Sequence, residues 1–380
     1  MKNILFLSAI LFLFTIFIFN ACKKDVNNTD DFDSTTTHIN TLWNHKYADY
    51  CMVNSGAGDN GFVVTNDGGV AVFFSWNNDT AKGTCLLKTD GNGLILINNT
   101  YPETVLGNSY TSLIQTSDNG FLLIGLHYVG KTDVSGNLIW SKELSSLWMD
   151  DAVEKIGGGF YILASNNNSQ LVLVEMNGLG DTINSTVLRD SLLLPDGEME
   201  YNSNGEIIIS YTDKINNEWA GHLLALSSNN TEQWSLNFIN PRFHTGLNSF
   251  YINTDNSIMT AGYIYSASTV SDMALVSKIN ASGTIIWQKS MTNLPCRAKD
   301  IVPSTSGNSY ILSLDLDLKK IAKISDSGDL IWNESIEPNN VYGPIEGMLK
   351  KQGNCYYYFG DVPNVTNFKY NPVLIKFSEQ

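Results

Sequence analysis

Positive charge is scarce in this chain. Lysine and arginine together number 23 against 38 acidic residues, the net charge is −15, and only three arginines occur in 380 residues. Binding to nucleic acid needs clustered Lys and Arg against the phosphates, so that class of partner is excluded. Charge of either sign is low, at 16 % of residues, which leaves Asn, Ser, Thr and Gly to make most of the polar surface. Cysteine is sparse too, and none of the five sits in a CxxC or vicinal pair. A thiolate metal centre and a dithiol redox motif are therefore absent. Cys51, Cys85, Cys296 and Cys355 stay open between scattered thiols and two disulfides. HExxH, GxSxG and P-loop motifs are missing. The five histidines (His38, His45, His127, His222 and His244) are not at ligand spacing, so neither a resident metal nor a cofactor is expected.

One long apolar run is present, at the N-terminus. Met1-Lys2-Asn3 precedes an almost unbroken apolar stretch from Ile4 to Phe19, then Phe19-Asn20-Ala21-Cys22 and Lys23-Lys24-Asp25. Sixteen helical residues span roughly 24 Å, short of a ~30 Å bilayer core, so the stretch reads as a processed signal rather than a span. It resembles a bacterial lipoprotein signal, with a small residue before Cys22 as the lipidated first residue of the mature chain. The Lys-Lys-Asp that follows is similar to lipoproteins of the Bacteroidetes type. That resemblance implies an outer-membrane lipoprotein exposed at the cell surface, touching the membrane through its lipid alone. The division expected is a signal peptide over 1–21, a polar flexible tether over 22–40 and a folded domain over 41–380.

The folded part is repetitive. Lys278-Ile279-Asn280-Ala281-Ser282-Gly283-Thr284-Ile285-Ile286-Trp287 recurs as Lys323 to Trp332 and as Lys131 to Trp140. Each reads as a strand, a tight Asx/Gly turn and a strand ending on Trp, because Asn, Asp and Gly tolerate the positive φ that hairpin turns need. Ahead of each such pair stands another: a strand, a turn such as Asn66-Asp67-Gly68-Gly69 or Ser117-Asp118-Asn119-Gly120, and an apolar strand such as Val70-Ala71-Val72-Phe73-Phe74. The units recur roughly every 43 to 53 residues, the period of four-stranded propeller blades. A seventh unit runs into the C-terminus without a fourth strand, while Thr41 to Tyr47 has the Trp pattern of a fourth strand with no third before it. The expectation is an all-β, seven-bladed propeller of four-stranded antiparallel blades, closed by the N-terminal strand completing the last blade. The repeat resembles the propeller-like (PQQ-like and kelch-like) repeat lipoproteins of Bacteroidetes, with Ile97 in blade 1 and Asn184 in blade 3 where Trp is expected. Quinoprotein dehydrogenases resemble it distantly; their vicinal cysteine pair is absent, so a quinone cofactor is not expected.

Trp43, Trp140, Trp234, Trp287 and Trp332 share one position and are expected to pack between blades. Function is sought where repeats disagree, in the loops joining strands d to a and b to c, which share one face of a propeller. Arg189, Arg242 and Arg297 fall in or beside successive d–a connections; their forks suit a carboxylate, sulfate or phosphate, or else pair with nearby acids. Trp76, Trp219 and Tyr265 lie at the ends of b–c loops, where aromatic faces among polar side chains suit sugar rings. The expected function is a non-enzymatic binding or scaffold module for a glycan, peptide or partner protein, acting as a monomer. The alternative is a hydrolase or lyase on a glycan or anionic extracellular substrate, with Asp150, Asp151, Glu198 and Asp300 as candidate acid–base carboxylates at the channel mouth.

Overall fold

The computed structural model describes residues 37–47, 61–77, 81–190, 197–215, 218–238, 244–266, 271–294, 296–315, 320–336, 347–364 and 369–380. Arg242, Cys51, Cys22 and the apolar N-terminal run lie outside these residues. Strands are the dominant element, in seven four-stranded sheets, six of them taken in chain order from inner strand a to outer strand d. Blade 5 is typical, with strands His244–Ile252, Ile258–Ser266, Ser271–Ile279 and Ile285–Met291. One helical turn, Glu103–Leu106, leads from blade 1 into blade 2. Among the described residues no helix is long and apolar enough to cross a membrane.

The last blade is composite. Its strands Gly347–Gln352, Cys355–Asn364 and Lys369–Glu379 are joined by Ile39–Lys46 at the outer edge. The N-terminal strand pairs antiparallel to the C-terminal one, from Ile39 opposite Glu379 to Lys46 opposite Val373. It begins two residues ahead of the Thr41 expected from the repeat, because Ile39 is buried with Trp332 and Phe377 in the core cluster of the last two blades. Closure removes the edges that an open array would present to other chains.

The strands form for the reasons their sequence pattern implies. The b strands carry apolar residues on both faces and are buried on both, as Phe121–Gly125 shows along its whole length. The d strands alternate, and Ile285–Met291 has every second residue exposed. The c–d turns are held by their first residue, whose side chain accepts two backbone N–H groups. Asp90 takes those of Asn92 and Leu94, and Asn280 those of Ser282 and Thr284. The lysine that ends strand c reaches turn carboxylates: Lys88 to Asp67 at 2.6 Å, Lys131 to Asp118 at 2.9 Å, and Lys278 across the seam to Asp326 at 2.6 Å.

The shared tryptophans join blade to blade. Trp43, Trp140, Trp234 and Trp287 donate their indole N–H to the carbonyls of Gly91, Gly178, Ala281 and Asp326, each in the c–d turn of the following blade. Trp332 stacks on His38 with ring centroids 5.2 Å apart. The turn glycine makes room for the ring: a Cβ on Gly283 would meet Trp234 at 2.5 Å, and one on Gly328 would meet Trp287 at 2.6 Å. These glycines also have positive φ. Gly307 is a control, because its φ is +66° and a Cβ there would meet nothing within 4 Å. Gly307→Ala should cost about 1 kcal/mol for backbone strain alone, and Gly283→Ala about 1–3 kcal/mol more for overpacking the seam. Urea unfolding of the two variants measures the difference, and equal losses would refute the seam's role.

Candidate functional site

Seven a strands surround a central channel of about 710 Å³. In each, a core residue is flanked by channel-facing ones. The core residues include Phe62, Leu113, Ala152, Met199, Phe250, Ile301 and Leu349, all buried. Toward the channel the strands present Ser112 and Ile114, Asp151 and Val153, Glu198 and Glu200, Ser249 and Tyr251, Asp300 and Val302, and Lys350.

Asp151 and Asp300 are spokes between blades. Asp151 on blade 3 accepts from Ser112 Oγ of blade 2 at 2.6 Å and from the Met199 N–H of blade 4 at 2.8 Å. Asp300 on blade 6 repeats the arrangement, accepting from Ser249 Oγ of blade 5 and the Leu349 N–H of blade 7, both at 2.8 Å. The Ile301 N–H adds a third bond. All four side chains follow a β-bulge in their strand, at Tyr110/Ser112, Met149/Asp151, Leu247/Ser249 and Ala298/Asp300. The bulge re-aims the side chain toward its neighbour. Ser and Asp thus alternate twice around the ring, and the strands of blades 4 and 7 supply the backbone donors.

These spokes are buried, and the electrostatics follow. Burial pushes the Asp151 carboxyl up to about 6, against the opposing effect of the Ser112, Met199 and Ala152 hydrogen bonds and the Lys350 charge. Glu200 is likewise raised, first by desolvation, then by Asp151 and Asp300, with Lys350 acting against them. Burial alone would lower the Lys350 ammonium, but Asp300, Glu198, Glu200 and Asp151 together hold it above its ordinary value. Lys350 therefore shares the channel with Asp151, Glu198, Glu200 and Asp300, and Lys351 lines it too. Among the described residues no group of three or more His, Cys, Asp or Glu side chains has metal-holding geometry.

The sequence-derived aromatic candidates lie elsewhere, at the loop face. Trp219 and Tyr265 come from neighbouring blades 4 and 5 and meet through His244. The Trp219 N–H lies 3.0 Å from His244 Nδ1, and the His244 ring stacks on Tyr265 at 5.8 Å. Glu218 approaches the same Nδ1 at 2.9 Å, and Lys214 Nζ sits 4.6 Å above the Trp219 ring. Trp76, on blade 1, is half-buried against the core of that blade, with its indole N–H buried.

Arg189 and Arg297 are engaged with acids. Arg189 bonds Glu232 at 2.9 Å and the Tyr211 hydroxyl at 3.1 Å, and Arg297 bonds Asp272 at 2.8 Å while stacking on Tyr263 at 4.4 Å. Glu232 and Asp272 lie on strands d and c, away from the loops in which partner acids are sought from sequence. Cys85 and Cys355 are free thiols, and burial pushes Cys85 up to about 12. Lys350 and the spoke role of Asp151 and Asp300 are not evident in single repeats. The signal that could have found them is that Ser112, Asp151, Ser249 and Asp300 occupy one register position when the a strands are aligned.

No protein-family model matches the chain, and no curated sequence matches it. Solved structures do. The WD40 domain of Neurospora crassa Pan2 superposes with TM-score 0.59 at 10 % identity, covering 90 % of this chain and 95 % of that one. The chain folds as a β-propeller. The polysaccharide lyase Uly1 gives TM-score 0.58 at 8 % identity, covering 90 % of this chain and all of that one. The Dos1 propeller gives 0.56 at 12 %, covering 87 % and 95 %. At such identities the likeness is one of architecture, which hosts many functions.

The Asp151 spoke makes a pH prediction. Its folded pKa lies above the unfolded one, so between about pH 4 and 6 the folded chain holds the extra proton and Asp151 favours folding most at the acid end. That contribution is lost as pH rises through about 6, and two units correspond to roughly 3 kcal/mol. Asp151→Asn keeps an acceptor for Met199 and a polar partner for Ser112. Its stability relative to the native chain should therefore rise with pH across this window, read by urea unfolding at each pH. Parallel profiles would exclude the effect.

Proposed function

We propose that the chain is a cell-envelope lipoprotein that binds a glycan, or a peptide or partner protein, through the loop face of its propeller without catalysing a reaction. The observation that carries this reading is the Trp219–His244–Tyr265 group. The His244 imidazole accepts from the Trp219 backbone N–H of one blade and stacks on the Tyr265 ring of its own, with Lys214 over the Trp219 ring and Glu218 beside the imidazole. Aromatic faces flanked by hydrogen-bonding groups suit the apolar face and hydroxyl rim of a sugar ring. Held by Glu232 and Asp272, Arg189 and Arg297 are poor candidates for capturing a free anion.

The channel carboxylates support the non-enzymatic reading. Both oxygens of Asp151 and of Asp300 are spent on inter-blade bonds, whereas a general acid or base must reach the proton it transfers. The competing reading, a hydrolase or lyase acting at the channel, rests on Glu198, Glu200 and Lys350, which share the channel. One structural neighbour is a polysaccharide lyase, a likeness of fold only.

A glycan-array screen of the full chain, repeated with Trp219→Ala and Tyr265→Ala, tests the reading. Binding to a defined glycan set should fall at least about tenfold in each variant and persist in Glu198→Gln. Turnover of any bound glycan, abolished by Glu198→Gln, would favour the enzyme. The lipid anchor is tested separately: the native chain should incorporate labelled palmitate in cells, and Cys22→Ser should not.

A further inference from the structure

On the turn face, opposite the loops, four seams are closed in one way. Trp43, Trp140, Trp234 and Trp287 each place the indole N–H on the carbonyl of the second residue of the next c–d turn, at 3.0–3.2 Å. The seam between blades 1 and 2 is one of three that differ, with that after Asn184 of blade 3 and that of Trp332, which stacks on His38. Ile97 pairs with Lys88 just as Trp140 pairs with Lys131 and Trp287 with Lys278, so it occupies the tryptophan's place in the register. The second residue of the facing turn is Val134.

A cavity of about 540 Å³ opens at this seam, lined by Ile97 and Val134 together, by Leu96, by polar side chains such as Asn66, and by the Lys88–Asp67 ion pair. Leu96 and Val134 are each 58 % exposed. The place over the turn glycine is itself taken, since a Cβ on Gly136 would meet Asn99 Nδ2 at 2.7 Å and Ile97 Cγ2 at 2.9 Å, and the cavity opens beside it. Asn99 donates to the carbonyls of Ser135 and Gly136, and the Tyr101 hydroxyl donates to Gly136. These bonds serve the third and fourth residues of the turn. The Val134 carbonyl, counterpart of the four indole acceptors, accepts no hydrogen bond among the described residues.

We propose that this pocket binds a tryptophan side chain presented by a partner peptide. The ring lies against Ile97 and Leu96, and its N–H donates to the Val134 carbonyl. The protein itself supplies the argument for that occupant, since the same group donates to the corresponding turn carbonyl at four other seams. An indole brings both the flat apolar area and the single donor that the site calls for. The cavity is several times larger than one ring, which leaves room for the peptide on either side. The site is on the face opposite the Trp219–Tyr265 group and stands independently of the binding proposed there.

Calorimetric titration of the full chain with N-acetyl-tryptophanamide, and with its N1-methyl analogue, tests the inference. Saturable binding is expected, several-fold weaker for the analogue that lacks the donor. Ile97→Trp should fill the pocket from within, raise the thermal midpoint and weaken binding at least about tenfold. Leu96→Glu, an exposed change that leaves the core untouched, should also weaken binding, and it keeps the test decisive if Ile97→Trp folds poorly. Absence of saturable binding by the native chain, or equal affinity in native chain and Leu96→Glu, overturns the proposal.

Discussion

The propeller depends on one contact made again and again: the indole of one blade laid over the c–d turn of the next. Sheets within a blade are held by their own ladders, but seven separate sheets become one molecule only where neighbours lock. The indole supplies apolar area and a directed hydrogen bond to a turn carbonyl. The turn supplies a glycine in the left-handed region, where a Cβ would strike the ring. The same glycine serves the hairpin and the seam, so neither residue type can change without disturbing its neighbouring blade. Closure by Ile39–Lys46 carries the contact around the ring, since Trp43 reaches from the composite last blade to Gly91 of the first.

A second belt lies inside. Asp151 and Asp300 tie three blades each, through a serine on one side and a backbone N–H on the other. Placing a carboxylate at a buried seam costs desolvation, and the hydrogen bonds offset only part of it for Asp151. The outer belt is periodic and repeats with the blade. The inner one repeats every three blades and leaves blade 1 outside the pattern. The outer belt lacks its tryptophan at blade 1, where Ile97 stands, and at blade 3, where Asn184 does.

The two faces consequently differ in kind. The turn face is set by short Asx and Gly turns that every blade needs, and its tryptophan contact is missing where Ile97 and Asn184 stand in the tryptophan's place. The loop face is free of that constraint, and there Trp219, His244 and Tyr265 form a group that no other blade repeats among the described residues. A scaffold that must repeat confines individuality to the connections and to the positions where a repeat is broken.

Strand order, blade number, the closing strand and the tryptophan positions could all be read from the chain, because they follow from local rules. Alternation, turn chemistry and a fixed period each leave a mark within a few residues. The aromatic residues Trp219 and Tyr265 were also legible as candidates, since they depart from the repeat. Their union through His244 was not, because it joins residues of different blades whose loops differ in length. The engagement of Arg189 by Glu232 and of Arg297 by Asp272, the pocket beside Ile97 and the placing of Lys350 among four carboxylates were decided only by the closed ring. The sequence alone determined that this protein is a propeller, because that architecture is a sum of local turns and strands. Which side chains face one another across a seam or the channel was settled by tertiary structure, because those distances depend on how seven blades are rotated about a common axis.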